Sequence, residues 1–97
     1  MRRELAEEIA TQALGWLCAQ DELLPVFLAA SGAGVDDLRA ALGAQDGPDE
    51  SVLMAAMDFI VMQDATVLDC ARALEQPPET LGLAQAVLAG EGGRHWT

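Results

Sequence analysis

A metal centre, a nucleophilic triad or a thiol catalyst each needs a particular set of side chains. This chain is poor in all of them. His95 is the sole histidine, and it lies in the glycine-rich stretch Gly90–Thr97 with no partner ligand close in sequence. One such histidine supports neither a zinc set nor a Ser-His-Asp arrangement. Cys18 and Cys70 fall at no metal-ligand spacing, in segments whose pattern predicts helices. They read as buried small hydrophobes, both reduced, ahead of a disulfide or a catalytic thiol. Asp46, Asp49 and Glu50 gather carboxylates, yet the oxygen-ligand spacing and glycine of a calcium loop are not matched. No glycine-rich phosphate loop and no nucleophile elbow occurs. The sequence thus predicts no enzyme, no catalytic residues, no metal, no cofactor and no small-molecule site.

The stretch with most functional form is Val26–Phe27–Leu28–Ala29–Ala30–Ser31–Gly32–Ala33–Gly34–Val35–Asp36–Asp37–Leu38–Arg39. A helix, a glycine turn and a second helix can make a helix-turn-helix, whose second helix enters the major groove by its N-terminus. Here that N-terminus carries Asp36 and Asp37, with Arg39 the only base nearby. Carboxylates facing phosphates have the wrong sign, so an ordinary helical hairpin is the better expectation. Asp58 is the one charge on an otherwise apolar helix. It is expected on a narrow solvent strip, since unpaired carboxylates are rarely buried. The sharper alternative is a partly buried acid paired with Arg39 or Arg72. Asp36, Asp37, Arg39 and Asp58 are the candidate interaction residues. Met54, Met57 and Met62 could form an adaptable binding surface, but at helical spacing they read as core. Trp96 could anchor in a partner groove, although a chain end of this composition reads as a frayed tail.

The elements that must position these residues are helices. Ser51–Met62 holds eleven apolar or small residues and one charge, Asp58. A helix apolar nearly all round is buried on most sides, so this one is expected at the centre. Before it, helix 1 should run from about Arg3 to Ala19, with Leu5, Ile9, Ala13, Trp16 and Leu17 as its apolar stripe. Gln20–Asp21 breaks the pattern, and Asp21 suits the N-cap of helix 2, Glu22 to Ala30, which places Pro25 in its first turn. Leu24, Phe27 and Leu28 should face inward, and Ser31–Gly34 should end the helix. Helix 3 covers Val35–Leu42, with Leu38 and Leu42 inward. Gly43–Pro48 is the longest loop, the one expected to be mobile, and Pro48–Asp49–Glu50 starts helix 4. Gln63–Asp64 repeats the break. Helix 5 follows from Ala65 to Leu74 on an apolar side of Val67, Leu68, Ala71 and Leu74. Pro77–Pro78 forces a turn into helix 6, Pro78–Ala89, whose buried face is Leu81, Ala84, Val87 and Leu88.

A shift of 43 positions lays Gln20–Asp21 on Gln63–Asp64, Trp16–Leu17 on Phe59–Ile60, Leu14 on Met57, Leu24 on Val67 and Leu38 on Leu81. Helical solenoids need about three or more repeats, so two copies suggest two three-helix units packed face to face. The predicted fold is all-α: a compact bundle of five to six helices in one domain, residues 1–89, with a flexible tail at 90–97.

Composition narrows the partners. With 97 residues and an apolar fraction of 52%, the chain can fill one core and leave some apolar surface over. The net charge of −11 comes from 16 acids against five arginines, with no lysine. That balance opposes nucleic acid and anionic membranes as ligands. The opening Met1–Glu8 turns acidic at once, and no apolar run approaches the ~20 residues of a membrane span, so a cytoplasmic protein is expected.

Ala13–Leu14–Gly15–Trp16–Leu17, Gln20–Asp21, Phe27–Leu28, the Gly32 turn and Asp37–Leu38–Arg39, with Met57–Asp58–Phe59–Ile60, Gln63–Asp64 and Pro77–Pro78–Glu79, form a recognisable pattern. By it the chain resembles a family of short all-helical bacterial proteins, catalogued as a domain of unknown function. The resemblance spans nearly the whole chain apart from the glycine-rich tail, and its motifs are mostly core, break and cap positions. It implies a bacterial cytoplasmic protein and brings no activity, catalytic residues or cofactor. The expectation is a non-enzymatic protein-interaction module, binding another protein or forming a homodimer. The alternative is a nucleic-acid-associated regulator using the helical hairpin.

Overall fold

A core almost without aromatic residues can be filled only if its helices approach closely, and small side chains permit that. A computed structural model describes residues 1–32, 34–43 and 50–93 of the chain. Among them lie six helices and no strand: α1 (Arg3–Cys18), α2 (Leu23–Ser31), α3 (Val35–Gly43), α4 (Glu50–Val61), α5 (Asp64–Leu74) and α6 (Pro78–Gly93). The all-α bundle expected from the sequence is the fold. The Gly43–Pro48 loop beyond Gly43, the Pro48–Asp49 start of helix 4, the inward side chain of Leu42 and the tail at 94–97 fall outside the described residues.

α1 presents Ala6, Ile9, Ala10, Ala13, Leu14 and Leu17 to the interior, all buried. Its alanines recur at spacings of four and three, a smooth strip along which α4 and α6 lie as its main neighbours. α4 contributes Leu53, Ala56, Met57 and Ile60, and α6 contributes Leu81, Ala84 and Leu88. The apolar helix 4 is central as expected, touching α1, α2, α5 and α6, and α1 shares that place. Arg3 fastens the pair: its guanidinium meets Glu50 at the start of α4 and Glu7 at 3.2 Å one turn along α1. The two helices therefore begin at the same end of the bundle. Glu7 and Glu50 are also 43 positions apart, in register with the internal echo.

The echo survives in burial. Leu14 and Met57, Leu17 and Ile60, and Leu38 and Leu81 are buried in pairs, and Trp16 and Phe59 are both partly buried. It does not survive as two separate units. α4, α5 and α6 pack mutually, whereas α1 packs on α6 and α4 far more than on α2. The first half thus opens out, and its long helix joins the second half.

Four local expectations are corrected. Leu5 is 46% exposed and Leu68 is 49% exposed, because the buried stripes turn onto Ala6 and Ala10 in α1 and onto Thr66, Cys70 and Ala71 in α5. Asp21 is not the N-cap of α2. The cap position is Glu22 in helical conformation with no side-chain bond, and the Gln20 carbonyl accepts the Leu23 and Leu24 amides instead. The Gln20 side-chain amide donates in turn to the Trp16 carbonyl at 3.2 Å, sealing α1. Finally, α6 runs to Gly93 rather than stopping at Ala89, there being no proline to end it. Two ends agree with expectation or explain themselves. Gly32 closes α2 at φ 78°, where a glycine has no Cβ penalty, and Glu75 closes α5 at φ 57°, with the Gln76 amide reaching the Ala71 carbonyl at 2.9 Å.

Leu14 and Leu5 offer a direct check on which way α1 faces. Leu14→Ala should cost about 3 kcal/mol through lost burial and a residual cavity, while Leu5→Ala should stay within about 0.5 kcal/mol. Urea unfolding of both variants measures the difference, and equal losses would contradict the placement of α1.

Candidate functional site

The four residues singled out from the sequence do not converge. Asp36 and Asp37 open α3 and are exposed, with the Asp37 carboxylate accepting the Gly34 amide at 3.1 Å. That bond ties the turn before the helix. Arg39 is exposed one turn along. Asp58 lies on the solvent strip of α4, and its Oδ1 accepts from Nε2 of Gln85 on α6 at 2.8 Å. Among the described residues no ion pair joins it to Arg39 or Arg72, so the paired-acid expectation gives way to an exposed acid held by an amide. The reason is placement: α6, not α3, runs beside this part of α4.

The thiols fit the core reading. Cys70 is buried and Cys18 half-buried, and neither is in a disulfide. Loss of hydration on burial raises both, pushing the Cys70 thiol up to about 11. A thiol shifted that way is the opposite of an activated nucleophile. Among the described residues no group of three His, Cys, Asp or Glu side chains could hold a metal ion. His95 and Trp96 fall outside the described residues.

What the fold does build is an apolar groove between α2 and the corner where α4 meets α5. Eight consecutive nonpolar residues, Leu23–Ala30, form most of α2, yet only Phe27 is fully buried there. Phe27 meets Phe59 edge-on at 5.4 Å and 62°, which fastens α2 to α4. Such a pair is worth about 1 kcal/mol beyond its burial. On the outer side of that contact a cleft of about 330 Å³ is lined by Leu23, Val26 and Ala30, by Phe59 and Met62, and by Gln63 and Thr66. Val26 is 55% exposed and Met62 72% exposed, the two most exposed large apolar side chains described. Met62, expected in the core, is thus a groove wall. α5 turns 116° away from α4 at Gln63, and this bend carries Thr66 to the groove's edge.

The cleft continues at both ends. A hollow of about 210 Å³ shares Ala30, Phe59 and Met62 with it and adds Ser31 and Asp58. At the other end one of about 250 Å³ shares Leu23 and Thr66 and adds Trp16, Asp21, Glu22 and Asp69. The floor is therefore apolar, with three carboxylates at one end and a single one, Asp58, at the other. No single helix among the described residues is long and apolar enough to cross a membrane.

Composition hinted at this surface through its apolar surplus, and α2 carried the readable signal. A short helix that is apolar all round cannot bury every face unless it is enclosed, and two-helix proximity was not legible from spacing. The site is thus a surface groove on an all-α bundle. The chain belongs to the family described as Protein of unknown function (DUF3572), whose model matches residues 3–91. No curated protein and no solved structure matches it.

Burial of the thiols sets an alkaline test. The chain has no tyrosine and no lysine, so between pH 9 and 12 the cysteines are its titrating side chains. Unfolded, Cys70 ionises near its ordinary 9.0, and folded it holds its proton to about 11. The folded state then binds more protons in that window, so stability is complete below pH 9 and falls as pH rises toward 11. Cys70→Ala should flatten the fall in unfolding free energy, leaving a smaller slope from Cys18. An unchanged slope would remove Cys70 from the interior.

Proposed function

We propose that this chain is a small non-enzymatic protein-interaction module that binds through the α2–α4/α5 groove, in a reducing bacterial cytoplasm. The observation that supports it most is convergence: Val26 on α2 and Met62 in the corner between α4 and α5 are both exposed and line a single apolar cleft. Scattered apolar residues are ordinary on a surface, whereas a continuous lined groove marks a contact site. The unpaired thiols agree with a reducing compartment, and the family resemblance carries the bacterial origin.

The helix-turn-helix alternative keeps its topology, α2, the Gly32 turn and α3, but its leading end bears Asp36 and Asp37. Nothing on that helix end neutralises phosphate.

Tagged full-length protein, used to capture partners from nuclease-treated lysate of its own host, tests this reading against a Met62→Asp variant. A stoichiometric protein held by the wild type and lost by the variant is expected, with the unfolding midpoint unchanged because Met62 is exposed. A partner indifferent to Met62→Asp would move the contact surface elsewhere. Recovery of nucleic acid, or of partners lost with nuclease, would restore the helix-turn-helix reading.

A further inference from the structure

We infer that the groove takes a cationic amphipathic helix of a partner protein, laid alongside α2 with its apolar face down and its lysines or arginines toward the acidic ends. This rests on the groove being the contact site proposed above, and it names what fills it. Shape argues for a helix. The described residues offer no strand, so there is no open sheet edge to which an extended segment could add. The walls are two helices, and α2 with its nine residues spans about 13 Å. Residues at i, i+3, i+4 and i+7 on a partner helix cover about that length, and their apolar side chains would meet Leu23, Val26, Phe59 and Met62.

Charge argues for the sign. Along the groove and its two extensions the lining includes Asp58, Asp21, Glu22 and Asp69, and no arginine. Asp21, Glu22 and Asp69 are exposed and make no ion pair among the described residues. Asp58 gives one oxygen to Gln85, which leaves the other oriented and open to a cation. An apolar floor with Asp21, Glu22 and Asp69 at one end and Asp58 at the other fits a ligand with an apolar stripe and basic flanks. The net charge of −11 adds a long-range pull on any basic segment and repels acidic ones.

The test uses three fluorescein-labelled peptides of about 14 residues, each about 20 Å long when helical. One carries leucines at i, i+3, i+4 and i+7 with lysines elsewhere. The second replaces every lysine by glutamate. The third is the lysine peptide with a central proline, which cannot form the helix. Each is titrated by fluorescence anisotropy against the full chain and against a Val26→Ser/Met62→Ser variant, both of whose changes lie at exposed positions and whose helicity is checked by circular dichroism. The lysine peptide is expected to bind the wild type at least tenfold more tightly than either other peptide. It should lose at least tenfold on the variant, and part of its advantage as salt is raised. Equal binding of the glutamate peptide through the groove would overturn the inference about charge while leaving the groove a contact site. Equal binding of the proline peptide would overturn the helix. Lysine-peptide binding that ignores the double substitution would be charge attraction alone, and would overturn the groove as its seat. If no peptide binds while Met62-dependent capture of a protein persists, the occupant is of another class, and the interaction module still stands.

Discussion

Close approach of α1, α4 and α6 is the constraint on which the rest of this molecule depends. Six of the seventeen buried apolar residues described are alanines, and three of them, Ala6, Ala10 and Ala13, lie on one strip of α1. An alanine contributes little apolar area by itself, so such a core gains its stabilisation from density: more atoms of neighbouring helices come within van der Waals range. Leucine, isoleucine and methionine from the partners, notably Met57 and Ile60 of α4, then occupy the space the strip leaves. A larger residue at Ala10 or Ala13 would separate the helices and loosen contacts along their length, not only at one point.

This economy has a consequence at the periphery. With α1, α4 and α6 enclosing one another and α5 closing the remaining side, α2 is left against the bundle by one edge. Phe27 and its contact with Phe59 hold it there. Leu23, Leu24 and Leu28 pack partly buried against the core, while Val26, Ala29 and Ala30 have no interior to enter. An exposed groove here is therefore a product of the fold's own geometry: α2 gives one face to the core and leaves the other open.

Helix number, most boundaries and the inward residues of α4 and α6 were legible because long stretches with 3.6-residue periodicity fix a buried face. Leu5 and Leu68 were misplaced for a shared reason. Leucine outranks alanine by hydrophobicity, so the pattern pulls the predicted stripe toward leucine, while a closely packed interface selects alanine for its size. Met62 was misplaced because α4 ends at Val61, one residue earlier than the apolar run, and leaves Met62 in the exposed corner before α5. The groove followed that error, since it needs the relative position of α2 and the end of α4. The Gln-Asp repeat misled more subtly. At both corners the glutamine carbonyl accepts the amide four residues on, that of Leu24 at 2.9 Å for Gln20 and that of Val67 at 3.1 Å for Gln63, and Asp64 enters α5 as its first residue, beside the positive end of the helix dipole. One dipeptide thus makes the same backbone bond at both corners, and the glutamine carbonyl, not the Asp21 side chain, serves the start of α2.

Charge then bears on which of two partners the proposed groove would take, a second copy of the chain or a basic ligand. A second copy of this chain would bring another −11 to the same contact, setting Asp21, Glu22 and Asp69 of one surface near like charges of its mate. Screening reduces such repulsion beyond a Debye length of about 8 Å at physiological salt, but carboxylates flanking one narrow cleft fall inside that distance across an interface. Like charges brought together on association cost free energy that the small apolar floor must first offset. A basic ligand meets the same floor with the electrostatic contribution reversed. If the groove is the contact site proposed, burial of its apolar lining drives association, and the carboxylates beside it favour a partner of opposite sign over a second copy of the chain.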